Sequence, residues 1–277
     1  MSIECIETGT FAPPTPVSTQ PQELHVVSWN IARGSQMDDI SEFLVRANAD
    51  LILLQESDLN ARRTVCRNVA KELAQALGMN YAFGIEFNEL GQGSHASPAY
   101  HGQATFSRWP LSEPRILRFR RQSKYWHPYW WIPPLAVFQR RVGGRMALVT
   151  RVCVGNRSLV AYNLHLESRE GNELRFCQLA ELLDDTRRYG PDEIVLVAGD
   201  FNFDVTATRE SSALEDARFE NPFANLDTPT ILASSSGRSR TIDWILIRGG
   251  ITPRFPQVHN SIVGSDHYPL SVTLTFP

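Results

Sequence analysis

The order of apolar segments along the chain is the feature that most constrains its fold. Residues 81–166 contain several strand-like runs and no convincing helical pattern, whereas amphipathic helical patterns occur before and after them. Leu51–Gln55 (LILLQ) is apolar without alternation, as in strands buried on both faces. A repeated strand–helix winding would need a helix between successive strands, and this order does not supply one. We therefore predict an α/β fold in which two packed mixed β-sheets carry helices on their outer faces.

Periodicity and turn signals divide the chain into individual elements. Helical spacing predicts helices over residues 36–47, 65–77 and 173–188, the last of these ending before Gly190-Pro191. Strands are predicted over residues 24–30, 51–55, 81–87, 103–109, 146–154, 158–166, 193–198, 242–247 and 269–275. The sequence contains no internal repeat and no linker after residue 24.

Length and termini favour one large domain. The chain has 277 residues, 42% of them hydrophobic and 21% charged, with a formal net charge of −3. Residues 1–23 are rich in Pro, Thr, Ser and Gln and are predicted to be a loose leader, with residues 24–277 forming the domain. The chain has no signal-like start, no membrane-spanning apolar run and four scattered cysteines, so we predict a cytoplasmic location.

Positive charge is concentrated in one segment, Arg115–Arg151. This segment has nine Lys or Arg and no Asp or Glu, and it contains three of the six tryptophans. Such a pattern suits nucleic acid, with cations on phosphates and aromatics on bases, and it equally suits an anionic membrane surface. It is also explained by a solvated edge hairpin. On either the nucleic-acid or the membrane interpretation, we predict that four residues of this segment contact substrate: Trp126, Trp130, Arg140 and Arg145.

Polar side chains recur where apolar strands end. Each one alone is explained by a turn, a helix cap or a buried polar residue with its hydrogen bonds made. Asp200-Phe201-Asn202 alone would be an Asx turn. The repetition favours a site built from converging strand ends and loops. Asp200 and Asn202 are two apart on a strand and so share a face, with Phe201 pointing away into the core. The set comprises Asn30, Glu56, Asn163, His165, Asp200, Asn202, Asp243, Asp266 and His267.

The donor types restrict the chemistry. Carboxylate and amide oxygens without a cysteine cluster or an HExxH motif favour Mg²⁺, Ca²⁺ or Mn²⁺ over zinc. A hard cation together with two histidines suits attack of water on a phosphate ester. A P-loop and a Gly-x-Ser-x-Gly elbow are both absent from the sequence, which gives no support to an NTPase or a serine hydrolase.

Seven segments, in order, resemble motifs of the endonuclease/exonuclease/phosphatase superfamily: WNIARG, LLQESD, HGQATFSRWP, NLHLES, AGDFN, TIDWIL and GSDHYPL. The resemblance extends from about Leu24 to the C-terminus. It implies a four-layer α/β/β/α sandwich and a Mg²⁺-dependent phosphoesterase, with Mn²⁺ as an alternative metal. It agrees with the two-sheet fold predicted from the order of the elements.

The resemblance also implies roles for individual residues. The metal ligands would be Asn30, Glu56 and Asp266, and the catalytic group would be His165, Asp200, Asn202, Asp243 and His267. Asn163 is predicted to contact substrate. In deoxyribonucleases of the family a glutamate orients the central histidine, here His165, and either Glu86 or Glu89 could take that role. Arg175 and Gln178 resemble structural supports.

Three functions follow as hypotheses. The first is a phosphodiesterase or nuclease acting on nucleic acid. The second is a lipid or inositol phosphoesterase, similar to sphingomyelinases, that uses residues 115–151 in peripheral contact with a membrane. The third is a binding module on an inactive scaffold, which is disfavoured because the chain retains Glu56, Asp200, Asn202 and His267. No obligate protein partner is predicted.

Overall fold

The computed structural model describes residues 3–14, 21–123, 125, 131–232 and 240–277. Trp126 and Trp130, two of the predicted substrate contacts, lie outside the described residues. No helix within the described residues is long and apolar enough to cross a membrane.

Thirteen strands are formed by the described residues. They are β1 (Ile6–Gly9), β2 (Glu23–Arg33), β3 (Leu51–Leu59), β4 (Asn80–Glu89), β5 (Tyr100–Ser107), β6 (Leu111–Arg118), β7 (Arg141–Gly143), β8 (Met146–Val154), β9 (Arg157–His165), β10 (Ile194–Asp200), β11 (Asp243–Arg248), β12 (Thr252–Val258) and β13 (Leu270–Thr275). One sheet has the order β1-β4-β5-β3-β2-β13-β12, with β7 also pairing with β4. The other has the order β11-β10-β9-β8-β6. Both sheets are mixed, because β2–β3 and β9–β10 are parallel pairs and the rest are antiparallel.

Four α-helices occur in the same residues: α1 (Met37–Ala47), α2 (Val69–Leu77), α3 (Asn172–Thr186) and α4 (Thr208–Asp216). The apolar faces of α1 and α2 pack on the outer face of the eight-stranded sheet, where Trp29 and Phe83 lie. The buried leucines of α3 pack against β9 and β10 in a second cluster, which also fills the space between the two sheets. The predicted two-sheet sandwich is thereby confirmed.

The structure contains elements that the sequence did not predict. The predicted leader includes β1, which pairs with β4, and the strands β6, β7 and β12 and the helix α4 are additional. The helix predicted over residues 65–77 begins only at Val69, after a short 3₁₀ turn at Arg62–Thr64. Asn68 caps this helix by accepting a hydrogen bond from the backbone N–H of Lys71 at 3.0 Å.

Three β-bulges lie near one end of the sandwich. The pairing shifts between Asn30 and Arg33 in β2, between Leu54 and Ser57 in β3, and between Ile85 and Phe87 in β4. A bulge inserts a residue and turns the following side chains to a new direction, so it can re-aim a side chain at a sheet edge. Glu56 and Glu86 each lie within a shifted stretch.

Candidate active site

Three strand ends place His165, Asp200 and Asp243 in one row. Asp200 is the direct neighbour of His165 on the parallel strand β9 and of Asp243 on the antiparallel strand β11. Directly opposed residues on neighbouring strands point to the same face, so the three side chains lie together. Gly199 permits the close approach of β10 to β9: its φ is +143°, and a Cβ there would lie 2.0 Å from the carbonyl oxygen of Leu164.

The Asp200 carboxylate is the centre of the site. Its Oδ1 accepts a hydrogen bond from the backbone N–H of Asn202 at 2.8 Å, which makes the Asx turn that the sequence allowed. Its Oδ2 accepts one from the Asn30 amide at 3.1 Å and lies 3.5 Å from His165 Nε2 and 3.8 Å from His267 Nε2. The turn fixes one oxygen and leaves the other facing both histidines. Phe201 is fully buried in the core, as predicted.

His267 and Asp243 form a hydrogen-bonded pair. His267 Nδ1 lies 2.9 Å from Asp243 Oδ2, and the Thr230 hydroxyl donates to the same oxygen at 2.7 Å. Burial alone would lower the pKa of His267, but the neighbouring carboxylates, chiefly Asp243 and then Asp200, outweigh it and raise the pKa to about 10. The imidazole is therefore held in one orientation with its Nε2 directed towards Asp200.

Hydrogen bonds join the loop that carries His267 to β2. The Ser265 hydroxyl donates to the Asn30 carbonyl at 2.6 Å, and the backbone N–H of His267 donates to Ser265 Oγ at 3.1 Å. Trp29 Nε1 donates to the His267 carbonyl at 2.8 Å. Asp266, a predicted metal ligand, is exposed next to this histidine and contributes to its raised pKa.

Glu56 projects into the site from the bulge in β3. Its φ is +57°, and its side chain is 22% exposed, with Oε1 4.0 Å from His165 Nε2. Burial acts to raise the pKa of Glu56, but the positive charges of His101, His165, Arg33 and Arg145 lower it to about 2. Among the described residues its carboxylate accepts no hydrogen bond within 3.5 Å, so an ionised and uncommitted carboxylate faces the cleft.

The donor set fits a hard divalent cation. Glu56 supplies a carboxylate. Within the described residues Asn30 Oδ1 accepts one hydrogen bond, from the backbone N–H of Ala32 at 3.1 Å, which leaves its second lone pair for a cation. Ligand atoms of Asp200, Asp243 and His267 also lie within 4.8 Å of one another. Within that trio Asp243 is already engaged by His267 and Thr230, so the oxygens best able to hold a cation lie on the Asn30–Glu56 side of the cleft.

Glu86, and not Glu89, is placed to orient His165. The Oε2 of Glu86 lies 3.6 Å from His165 Nδ1, and its Oε1 accepts a hydrogen bond from Arg145 at 2.7 Å. Burial acts to raise the pKa of Glu86, but Arg145 and then His165 hold it well below its usual range. Glu89 instead pairs with Arg141 at 2.7 Å. The alternation of side chains along a strand could not distinguish Glu86 from Glu89 in the sequence, because the bulge in β4 lies at Glu86.

Asn163 does not reach the cleft, contrary to the prediction that it contacts substrate. Its side chain is fully buried between the sheets, where its amide donates to the Leu54 and Ala104 carbonyls, each at 3.0 Å. Its oxygen accepts from Gln55 at 2.8 Å. Both amide hydrogens are thus used, and this residue joins the two sheets. Arg175, predicted to be a support, donates to the Glu167 carbonyl at 2.6 Å.

The predicted basic segment does not form one continuous positive face in the described residues. Its arginines form ion pairs with distant carboxylates: Arg115 with Asp185, Arg151 with Glu113 and Glu193. Arg145, a predicted substrate contact, is buried against Glu86 and also donates to the Ser168 hydroxyl at 2.8 Å. The sequence revealed the excess of positive charge but not its partners, which come from remote parts of the chain.

A cavity of about 580 Å³ opens beside Glu56. Its wall includes six arginines, and we call it the arginine pocket: Arg33, Arg63, Arg140, Arg141, Arg145 and Arg169. Of these, only Arg140 and Arg145 were predicted to contact substrate. Arg33 was missed although it lies in the WNIARG segment, three residues after Asn30. Thr230 was also missed, and its sequence context carries no signal.

Comparison with known proteins finds one family model that covers most of the chain. The family model described as "Endonuclease/Exonuclease/phosphatase family" matches residues 27–267. No curated protein matches the sequence significantly. The matched range contains every residue of the candidate site.

Solved structures of similar fold include an endonuclease/exonuclease/phosphatase from Beutenbergia cavernae, at a TM-score of 0.70 and 17% identity, covering 92% of this chain and 72% of that one. Truncated Caenorhabditis elegans TDP2 has a TM-score of 0.62 and 17% identity, with coverages of 91% and 97%. ANGEL2, a 2′,3′-cyclic phosphatase in complex with adenosine-2′,3′-vanadate, has a TM-score of 0.65 and 13% identity, with coverages of 92% and 96%. The chain therefore belongs to the endonuclease/exonuclease/phosphatase family of phosphoesterase hydrolases, whose members generally depend on a divalent metal ion.

Proposed function

We propose that this protein is a Mg²⁺-dependent phosphodiesterase that hydrolyses nucleic acid, with Mn²⁺ as an alternative metal. The observation that carries the proposal is the convergence of His165 and His267 on Asp200, beside the ionised Glu56. ANGEL2, similar in fold, is described in complex with an adenosine vanadate, a nucleoside analogue of a phosphate ester. That likeness supports a nucleotide-containing substrate.

Each residue has a proposed role. Glu56 and Asn30, with Asp266, would hold the metal, which supplies positive charge to the phosphoryl oxygens when bound. Asp200 and Asn202 position the attacking water, and the Asp200 carboxylate accepts its proton. His267, charged because of its raised pKa, donates a hydrogen bond to a phosphoryl oxygen. His165, oriented by Glu86, gives a proton to the leaving oxygen.

A second candidate is a lipid or inositol phosphoesterase acting at a membrane surface. It is favoured by four exposed apolar side chains in the segment that leads to Arg140, which are Trp131, Leu135, Val137 and Phe138. Apolar side chains beside a cation suit an anionic bilayer interface. The double variant Val137→Ser with Phe138→Ser would weaken vesicle binding if this candidate is right and leave it unchanged if it is wrong.

A phosphoester panel separates the two candidates. Single- and double-stranded DNA, RNA, sphingomyelin vesicles and inositol phosphates would each be incubated with Mg²⁺, Mn²⁺ or EDTA at low salt. We expect metal-dependent cleavage of at least one nucleic acid by the wild type and none by Asp200→Asn. Turnover of a lipid or inositol substrate without turnover of any nucleic acid would reject the nuclease proposal in favour of the second candidate.

A further inference from the structure

The arginine pocket holds more positive charge than its own carboxylates neutralise. Arg63 pairs with Asp58 at 2.6 Å, Arg141 with Glu89 at 2.7 Å and Arg145 with Glu86 at 2.7 Å. Arg33 and Arg140 form no such ion pair within the described residues, so the wall carries two positive charges without an ion-pair partner. A metal held by Glu56 would add positive charge beside them.

Two arginines supply the uncompensated charge. Arg33 follows the bulge at the end of β2, and Arg140 immediately precedes β7; both are exposed. Within the described residues neither guanidinium makes a hydrogen bond or a salt bridge, and Arg33 attracts Glu56 at longer range. Both groups therefore have all their donors available to an anion.

The arginines are also crowded. Burial lowers the pKa of Arg141, and the charges of Arg145 and Arg63 lower it further in spite of Glu89 and Glu86. Like charges at close range destabilise one another, so an anion bound among them would relieve repulsion as well as gain hydrogen bonds. Guanidinium groups bind phosphate in a bidentate manner, which makes phosphate the anion best matched to this lining.

The size and position of the pocket identify the occupant more closely. Its volume of about 580 Å³ exceeds what a lone phosphate ion fills and falls within the range of roughly 300–1,000 Å³ typical of small-molecule sites. Glu56 belongs to both the pocket wall and the metal side of the cleft. A group in the pocket is therefore adjacent to the scissile phosphodiester.

We infer that the arginine pocket binds the terminal nucleotide of the substrate through a phosphate that this nucleotide carries, so that strands ending in a phosphate are preferred. This inference rests on the proposed action on nucleic acid. A terminal phosphate monoester carries up to two negative charges, against one for an internal diester, which matches the two positive charges of Arg33 and Arg140.

Three thymidine dinucleotides test the inference: TpT, pTpT with a 5′-phosphate and TpTp with a 3′-phosphate. We expect one phosphorylated dinucleotide to have a kcat/KM at least about tenfold above that of TpT, equivalent to about 1.4 kcal/mol. In Arg33→Gln and in Arg140→Gln this ratio falls towards one. The ratio is the readout because it cancels losses of general activity or of folded protein.

Arg187→Gln is the matched control. It removes the same charge at the far end of α3, roughly 22 Å along a helix of 15 residues whose first turn lies near Ser168. Its side chain is 80% exposed, and among the described residues its guanidinium forms one surface pair, with Asp184 at 3.7 Å. We expect Arg187→Gln to keep both the wild-type ratio and the wild-type activity. Equal cleavage of all three dinucleotides by the wild type, or an unchanged ratio in both pocket variants, would overturn the inference.

A binding measurement separates this inference from the proposed function. Calorimetry of metal-free protein with thymidine 5′- or 3′-monophosphate should show binding that weakens at least about tenfold in Arg33→Gln and Arg140→Gln. If the wild type hydrolyses bis(p-nitrophenyl) phosphate but none of the dinucleotides, the action on nucleic acid fails. If it hydrolyses the dinucleotides but binds neither monophosphate, the pocket assignment fails alone. Binding of inositol 1-phosphate in preference to both nucleotides would reassign the pocket to an inositol headgroup.

Discussion

Asp200 connects more of the candidate site than any other side chain described above. One oxygen closes the turn to Asn202, and the other faces Asn30 and the two histidines. The carboxylate is buried, so it depends on these donors for the solvation that water would otherwise provide. Each partner is fixed in turn by a contact outside the cleft, such as Glu86 behind His165.

Replacing Glu86 with Gln tests the positioning of His165. The amide keeps the shape but removes the carboxylate 3.6 Å from His165 Nδ1, so the ring loses the partner that orients it. We expect kcat to fall roughly 10- to 100-fold, as is found for outer partners of functional histidines. The His165 imidazole resonances, followed by NMR at pH 7, should move from their wild-type positions because the carboxylate 3.6 Å from Nδ1 is gone.

Glu89→Gln is the control for this residue. It also removes a buried carboxylate, but that carboxylate pairs with Arg141 and not with His165. The His165 imidazole resonances should match those of the wild type in Glu89→Gln. An equal shift in both variants would mean that general electrostatics, and not contact with Glu86, sets the state of His165.

Strands with a strong apolar pattern of their own were predicted from the sequence, whereas the β-bulges and the strand β1 were not. Apolar runs such as Val195–Ala198 specify a buried strand locally, so Asp200 and Asn202 were correctly expected at its end. In contrast, Ile6–Gly9 has no strand pattern and is ordered by pairing with β4. The bulges depend on pairing between distant strands, and for this reason the choice between Glu86 and Glu89 needed the structure.

Gly199→Ala tests the register of β10 against β9. A Cβ would meet the Leu164 carbonyl, and the φ of +143° strains any side chain. Backbone strain of this kind costs about 1–3 kcal/mol, and the clash with a backbone atom adds to it, so we expect the free energy of unfolding to fall by at least about 3 kcal/mol. Urea denaturation measures this loss.

Gly250→Ala provides the comparison. No atom lies within 4 Å of a Cβ at this position, and its backbone is not in the left-handed region. We expect a change in unfolding free energy of less than about 0.5 kcal/mol, as for ordinary surface substitutions. A Gly199→Ala protein as stable as Gly250→Ala would show that the strand pair does not hold His165 and Asp200 at the described spacing.

The whole molecule keeps several carboxylates ionised at one end of the sandwich, and this determines its response to acid. The pKa values of Glu56, Asp58 and Glu86 all lie below their usual range, because nearby cations outweigh burial. Unfolded carboxylates titrate near pH 4. A lowered folded-state pKa contributes stability that is present above that pH and is lost as the pH falls towards the folded-state value.

We therefore expect the free energy of unfolding to decrease steeply below about pH 4. Glu86→Gln lacks one of the three carboxylates that are protonated in acid. The free energy of unfolding of this variant should therefore fall less steeply with decreasing pH, by up to about 1.4 kcal/mol per pH unit. At pH 7 the same variant should be destabilised by about 3–5 kcal/mol, because Arg145 remains buried without its carboxylate. Urea titrations between pH 2.5 and 7 measure both effects, and parallel curves for the two proteins would refute the assignment.

Metal-dependent hydrolysis at this site is tested by the rates at which wild type, Glu56→Gln and Asp200→Asn cleave bis(p-nitrophenyl) phosphate with Mg²⁺, Mn²⁺ or EDTA. We expect wild-type turnover that requires a metal and is abolished by EDTA. Glu56→Gln should need at least about tenfold more metal for half-maximal rate, and Asp200→Asn should lose at least about 100-fold in kcat while remaining folded by circular dichroism. Wild-type turnover that persists in EDTA, or full activity in folded Asp200→Asn, would show that these residues do not carry out metal-dependent hydrolysis.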